Sequence, residues 1–126
     1  MKTIIRNHPA TSQEAIQFTQ HLLQSFPITT RRQITIEFRS TNSIGRGNWG
    51  MAHDYKFNNT LFLELALGTS KERRDLQDLL HTIAHEYCHA LQYDQEKPAS
   101  CTEADLFGDK EVPKFLEENL RMKKAA

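Results

Sequence analysis

One stretch of the chain, Thr69 to Gln92, constrains the fold more than any other. Its apolar residues recur at the three- and four-residue intervals that place side chains on one face of a helix. They are Leu76, Leu79, Leu80, Ile83, Ala84, Tyr87, Cys88 and Leu91. A continuous stripe of this length predicts one long amphipathic helix that packs on the core through this face.

The same helix carries an HExxH motif, His85-Glu86-Tyr87-Cys88-His89. Two histidines at this spacing project to the same side of a helix and can share one metal ion, with the glutamate beside the metal-bound water. At about 100° per residue, both histidines lie roughly 160 to 200° from the centre of the apolar stripe. We therefore predict that the pair faces away from the core and binds zinc, because core packing does not account for it.

A catalytic zinc site typically has three protein ligands and one water, so the motif needs a further donor. No histidine follows His89 in the sequence. The best donor is Glu103, which lies on a predicted short helix that can fold back towards the two histidines. Asp105 is read either as a partner for the second nitrogen of a ligand histidine or as a surface carboxylate. The predicted metal ligands are thus His85, His89 and Glu103.

The remaining elements follow from alternation, capping residues and turn formers. The first part of the chain has an extended segment at Thr3 to Arg6 and a helix between the cap Thr11-Ser12 and Pro27. Three strands follow, at Gln33 to Arg39, Met51 to Phe57 and Thr60 to Leu67, with a loop at Ser40 to Gly50 and a turn at Asn58-Asn59 between them. A capping box at Thr69 to Glu72 opens the HExxH helix, and after it come a short helix from Cys101 to Phe107 with Gly108 as its cap and a last helix from Pro113 to about Lys123. The predicted class is α+β, with an N-terminal helix, a small antiparallel or mixed sheet, the HExxH helix and C-terminal helices.

Length and charge limit the other possibilities. A chain of 126 residues fits a single domain, here taken as residues 1–126. The formal net charge of zero gives no strong nucleic-acid signal. No apolar run approaches the length of a membrane span, so we expect a cytoplasmic protein. The two cysteines, Cys88 and Cys101, lack CxxC spacing and are expected to be reduced thiols.

The segments HEYCHALQ and TEADLFG together resemble the gluzincin metallopeptidases, in which a glutamate ligand follows the HExxH helix on a second helix. The region from about residue 34 to 108 also resembles minimal HExxH domains of the SprT-like, phage and ImmA/IrrE-like types. The resemblance implies a minimal zincin-like fold and peptidase activity. Many gluzincins place the ligand four residues before the aspartate of the second helix, and in this chain that position is Cys101, whereas Glu103 is two residues before Asp105. Glu103 remains the first candidate for the third ligand, and this spacing makes Cys101 the second, ahead of Asp105.

Taken together, these features predict a zinc metallopeptidase that hydrolyses a protein or peptide substrate, with Glu86 as the general base for a metal-activated water. The donor to the tetrahedral oxyanion is left open among Tyr93, Tyr55, His53 and His81. The alternatives are a non-catalytic or latent zinc-binding module, in which Cys101 closes the coordination sphere, and a regulatory protease specific for one protein partner. The sequence does not determine the oligomeric state.

Overall fold

The computed structural model describes residues 1–39, 49–67 and 75–125. Its elements run in the order β1 (Lys2–Arg6), α1 (Gln13–Ser25), β2 (Gln33–Arg39), β3 (Gly50–Tyr55), β4 (Thr60–Ala66), α2 (Leu76–Asp94) and α3 (Cys101–Ala125). The predicted α+β class is confirmed. Most of the predicted loop, 40–48, and the predicted capping box, 69–72, lie outside the described residues.

The four strands form one mixed sheet in the order β1-β2-β4-β3. The pairs β1/β2 and β2/β4 are parallel, and β3 runs antiparallel to β4 at one edge. Helix α1 makes the crossover that a parallel β1/β2 pair requires. A short 3₁₀ turn at Lys56–Asn58 and the left-handed Asn59 (φ 54°) close the β3/β4 hairpin, which confirms the predicted turn.

The core lies between one face of this sheet and the three helices. Strands β2 and β4 alternate as half-buried strands do, so every second side chain enters the core. The sheet contributes Ile34, Ile36, Phe38, Leu61, Leu63 and Leu65, and the helices contribute residues that include Phe18, Leu22, Leu80, Ile83, Tyr87, Val112 and Phe115. The apolar stripe of α2 therefore packs as predicted.

Helix α2 is shorter at its start than the predicted helix. Asp75 has an extended backbone (φ −55°, ψ 140°), and its side chain accepts a hydrogen bond from the Gln77 amide. An aspartate in this geometry is an N-cap, so the helix begins at Leu76 and does not run on continuously from Thr69. The other end reaches Asp94, two residues beyond the predicted end, and Glu96 then turns the chain with a positive φ of 56°.

The prediction of two separate C-terminal helices is wrong, because α3 continues through both Gly108 and Pro113. A Cβ on Gly108 would lie 2.7 Å from His81 Nε2 of α2, so this glycine permits close helix packing and does not end the helix. A buried face that includes Ala104, Val112 and Phe115 holds α3 on the core despite its internal proline, which costs about 3 kcal/mol or more. Among the described residues, no helix combines the length and apolar character needed to cross a membrane.

Candidate metal centre

The two histidines of the HExxH motif meet at one point. His85 and His89, one turn apart on α2, bring their Nε2 atoms to 3.1 Å of each other. The thiol of Cys101, the first residue of α3, lies 3.8 Å from His89 Nε2. One potential ligand atom from each of these three residues lies within 4.8 Å of the other two. Among the described residues, His85, His89 and Cys101 form the one group of three or more potential ligand side chains that could hold a metal ion.

The outward nitrogen of each ring has an oxygen partner. His85 Nδ1 lies 2.8 Å from Asp105 Oδ1, and His89 Nδ1 lies 2.8 Å from Gln92 Oε1. A carboxylate and an amide oxygen only accept, so each Nδ1 carries the proton and donates it. Each neutral ring then presents a lone pair at Nε2. Two lone pairs that face each other at 3.1 Å repel unless a cation lies between them.

The spacing of the donors fits zinc. Zinc binds imidazole nitrogen at about 2.0 to 2.1 Å and thiolate sulfur at about 2.3 Å, so tetrahedral geometry separates two nitrogens by about 3.3 Å and nitrogen from sulfur by about 3.6 Å. The corresponding distances here are 3.1 Å between the histidines and 3.8 Å between Cys101 and His89. Each of these two separations lies within about 0.2 Å of the tetrahedral value. The third, between Cys101 and His85, is no more than 4.8 Å, so the three residues fit a zinc ion after a small adjustment of side chains.

The carboxamide of Gln92 fastens the start of α3 to the metal helix. Its Oε1 accepts from the Ser100 amide at 3.1 Å, and its Nε2 donates to the Ser100 carbonyl at 3.1 Å and to Glu103 Oε1 at 3.3 Å. Gln92 is 2% exposed, so these bonds form in a low-dielectric interior. The two bonds to Ser100 also distinguish the oxygen of Gln92 from its nitrogen, which supports the donor assigned to His89.

The surroundings of the site differ from the expectation in one respect. His89 and Glu86 are only 8% and 7% exposed, because α3 covers the polar face of α2. The predicted orientation of the histidines away from the apolar stripe holds, but this face is not a solvent face. Sequence reasoning did not identify the role of Gln92. Its position three residues after His89 was the available signal, because that spacing places the two on one face.

Of the residues predicted to bind metal, His85 and His89 come together, and Glu103 contacts Gln92 instead. Glu103 is exposed, and its Oε1 accepts from Gln92 Nε2 at 3.3 Å. The assignment of Glu103 as the third ligand stays a prediction, while the cluster itself contains Cys101. The other cysteine, Cys88, is buried in the apolar stripe, where burial and then the charge of Glu103 raise its pKa to about 11.

Glu86, the predicted general base, lies beside the pair, with Oε1 3.8 Å from His85 Nε2. Burial raises the pKa of this carboxyl, and electrostatic interaction with His85, His89 and His53 opposes the shift. Gly50 of β3 makes room for it: a Cβ there would lie 2.8 Å from Glu86 Cγ and 2.9 Å from Thr82 Cγ2. The edge strand therefore packs directly over the base, a contact for which the sequence held no signal.

Two of the four residues considered as oxyanion donors, Tyr93 and His53, interact electrostatically with Glu86. Tyr93 also interacts with Cys101. Its pKa is raised by burial and then by the charges of Glu86, Asp54 and Cys101, so the neutral hydroxyl is favoured near the site. His81 lies 3.0 Å from Asp109 on α3, and His53 and Tyr55 stack on each other on the sheet face opposite Gly50. Beside Tyr93 lies a cavity of about 430 Å³, also lined by Arg31, Asp54, Lys56, Glu96, Lys97 and Pro98.

Comparisons of the chain with protein-family models, with curated proteins and with solved structures found no match.

Proposed function

We propose that the protein is a zinc-dependent peptidase that holds its metal between His85 and His89 and uses Glu86 as the general base. The observation that carries the proposal is the approach of the two Nε2 atoms to 3.1 Å, while each Nδ1 has an oxygen partner at 2.8 Å. A cation between them is needed to offset their repulsion. A shared proton would be sufficient for two histidines alone, but the thiol of Cys101 at 3.8 Å adds a third donor that a proton does not require.

Zinc suits this set of donors, because imidazole and thiolate are the side chains that bind it best. When bound, zinc supplies a Lewis acid for the scissile carbonyl and lowers the pKa of a coordinated water to about 7. Asp105 and Gln92 fix the orientation of the two rings, which keeps the donors in place. The proposal includes a cytoplasmic location, because a reducing compartment keeps the Cys101 thiol available.

Glu86 performs the proton transfer in this mechanism. Its raised pKa makes it a stronger base than an exposed glutamate, so it accepts a proton from the attacking water as the carbon–oxygen bond forms. It then gives that proton to the nitrogen as the peptide bond breaks. Tyr93, held as a neutral hydroxyl, donates a hydrogen bond to the oxygen of the scissile carbonyl.

A peptide or protein substrate is favoured by the position of β3. This strand is at the edge of the sheet and packs over Glu86 through Gly50. An extended peptide that pairs with the side of β3 on which the described residues place no strand would lie along α2, with backbone hydrogen bonds that do not depend on its sequence. The cavity beside Tyr93 offers space for a substrate side chain.

The experiment is a cleavage assay with the zinc-loaded protein on a complex peptide mixture, with mass spectrometry of the products. The matched control is Glu86→Gln, which keeps the size of the side chain and removes the base. We expect new peptide ends that depend on Glu86. A hydroxamate peptide that binds the wild-type protein only when zinc is present would be a second, substrate-independent sign of an open metal site. If the protein shows neither Glu86-dependent cleavage nor zinc-dependent hydroxamate binding, the proposal is contradicted.

A non-catalytic zinc module is the second candidate, and it needs a fourth protein donor. Glu103 is the carboxylate nearest in sequence to Cys101, and its contact with Gln92 keeps Oε1 engaged elsewhere. The cluster then has three protein donors, as in a catalytic site.

A regulatory protease with one protein partner would bind the hydroxamate but cleave few peptides of the mixture, so the two readouts together separate these alternatives.

A further inference from the structure

We infer that Cys101 is the third protein ligand of the metal, and that Glu103 is a positioning residue that acts through Gln92. This inference rests on the proposed metal site but not on peptidase activity. The distances support it directly. Cys101 Sγ lies 3.8 Å from His89 Nε2, close to the separation of about 3.6 Å expected for sulfur and nitrogen on one zinc ion.

The thiol is held at this place by its neighbour in the chain. Ser100 has both backbone groups bonded to the Gln92 carboxamide, each at 3.1 Å, and its hydroxyl accepts from the Glu103 amide at the start of α3. Cys101 follows directly on this anchored residue. The same Gln92 oxygen bonds His89 Nδ1 at 2.8 Å. One buried side chain thus sets the position of a ligand histidine and that of the thiol.

Glu103 has a different partner from the two histidines. Its Oε1 accepts a hydrogen bond from Gln92 Nε2 at 3.3 Å. The oxygen of the same Gln92 carboxamide faces His89 Nδ1. This bond favours the amide orientation that the histidine requires. To bind the metal through this oxygen, Glu103 would have to leave Gln92, and the buried Gln92 nitrogen would lose a partner. The geometry therefore gives the carboxylate a supporting role behind the ligands.

The second cysteine provides a matched control. Cys88 is one residue before His89 on α2, but its side chain belongs to the buried apolar stripe, and only Cys101 belongs to the donor cluster. A thiolate signal from the bound metal should thus depend on Cys101 alone.

The experiment is anaerobic titration of the metal-free, full-length protein with Co²⁺, followed by absorption spectroscopy. Thiolate-bound cobalt has a near-ultraviolet charge-transfer band that cobalt bound only by nitrogen and oxygen lacks. We expect this band in the wild-type protein and in Cys88→Ser, and its loss in Cys101→Ser. Cys101→Asp, which restores an anionic donor, should bind cobalt without the band. Cys101 is exposed, and circular dichroism checks that each variant is folded.

Glu103 is tested in the same titration. Glu103→Ala should keep the band and weaken cobalt binding by about 10- to 100-fold, the usual effect of removing an outer hydrogen-bond partner. Glu103→Gln, which retains an acceptor oxygen, should bind nearly as well as the wild type. A wild-type complex without the band, a band that survives in Cys101→Ser, or a Glu103→Gln variant that no longer binds cobalt would overturn the inference.

The outcomes also separate this inference from the proposed function. A Cys101-dependent band in a protein without Glu86-dependent cleavage and without hydroxamate binding keeps the ligand assignment and contradicts the peptidase. Glu86-dependent cleavage by a protein whose cobalt complex lacks the band keeps the peptidase and contradicts the ligand assignment.

Discussion

Gln92 Oε1 lies 2.8 Å from His89 Nδ1 on the same helix, and the carboxamide that makes this contact also connects α2 to the start of α3. It fixes the protonated nitrogen of the ring, and the remaining bonds of the carboxamide hold Ser100 and Glu103. Buried polar groups stabilise a structure only when all of them have partners. Here Oε1 and Nε2 of Gln92 each have at least two hydrogen-bond partners. The donor cluster is therefore held in place by a neutral residue that is not one of its members.

The first prediction follows from this contact. Gln92→Met keeps the approximate volume but removes every hydrogen bond of the carboxamide. We expect zinc affinity to fall by about 10- to 100-fold, as measured by competition with a chromophoric chelator. The metal-free protein should also lose about 1 to 3 kcal/mol of unfolding free energy, since the half-buried backbone groups of Ser100 lose partners. Gln95→Met, on an exposed side chain just after the same helix, is the control and should change neither quantity.

The second prediction concerns Asp105, whose Oδ1 lies 2.8 Å from His85 Nδ1. Asp105→Ala leaves this ring free to rotate and to change its tautomer, so zinc affinity should fall by about tenfold or more. Asp109→Ala is the matched control, because Asp109 is on the same helix and contacts a histidine outside the cluster, His81, at 3.0 Å. Equal losses of zinc affinity in the two variants would contradict a specific role for Asp105.

The contrast between α2 and α3 indicates how far the sequence determined the fold. The apolar stripe of α2 and the alternation of β2 are local patterns, and the helix and strand follow them closely. Gly108 and Pro113 were read locally as a helix end and a helix start. In the structure, the packing of α3 on α2 overrides both, because Gly108 is needed for contact with His81. A glycine required for close packing has the same sequence signal as one that ends a helix.

The candidate site divides in the same way. The HExxH spacing brought His85 and His89 together, since four residues complete about one turn. The placement of Cys101 and Glu103 depends on the path of the chain between α2 and α3, which Gln92 determines through Ser100. That network joins residues on two helices and on the segment between them, so no periodicity records it. Covering of the polar face of α2 by α3, which buries His89, likewise depends on tertiary packing.

The third prediction tests the contact between β3 and the general base. In Gly50→Ala, the new Cβ would lie 2.8 Å from Glu86 Cγ, so the carboxylate has to move. A misplacement of about 1 Å at a catalytic group can cost about 100-fold in rate. We expect a loss of turnover of this order in the peptidase assay, with zinc content unchanged.

Gly108→Ala serves as the steric control for this variant, because its Cβ would contact His81 and not Glu86. It should lower thermal stability while turnover per folded molecule stays within a few-fold of the wild type. If Gly50→Ala retains full turnover, or loses its zinc, Gly50 does not act by making room for the base.

The last prediction concerns pH and stability at the C-terminal end of α2, where Asp94 contacts Thr29 and Thr30. Burial alone would raise the pKa of Asp94, but hydrogen bonds from the side chain and amide of Thr30 and the amide of Thr29 outweigh it, and the pKa falls below its ordinary value. A carboxyl whose pKa is lowered by folding stabilises the protein above its unfolded pKa and loses this contribution as pH falls through the folded pKa.

Urea unfolding of the metal-free protein should therefore show Asp94→Asn to be less stable than wild type by about 1.5 to 3 kcal/mol at pH 7. The difference should stay constant down to about pH 5 and shrink below pH 4, where the wild-type carboxylate begins to protonate. Glu117→Gln, an exposed partner of Arg121, is the control and should change the stability by less than about 0.5 kcal/mol. A difference for Asp94→Asn that grows as the pH falls would contradict the assigned direction of the pKa.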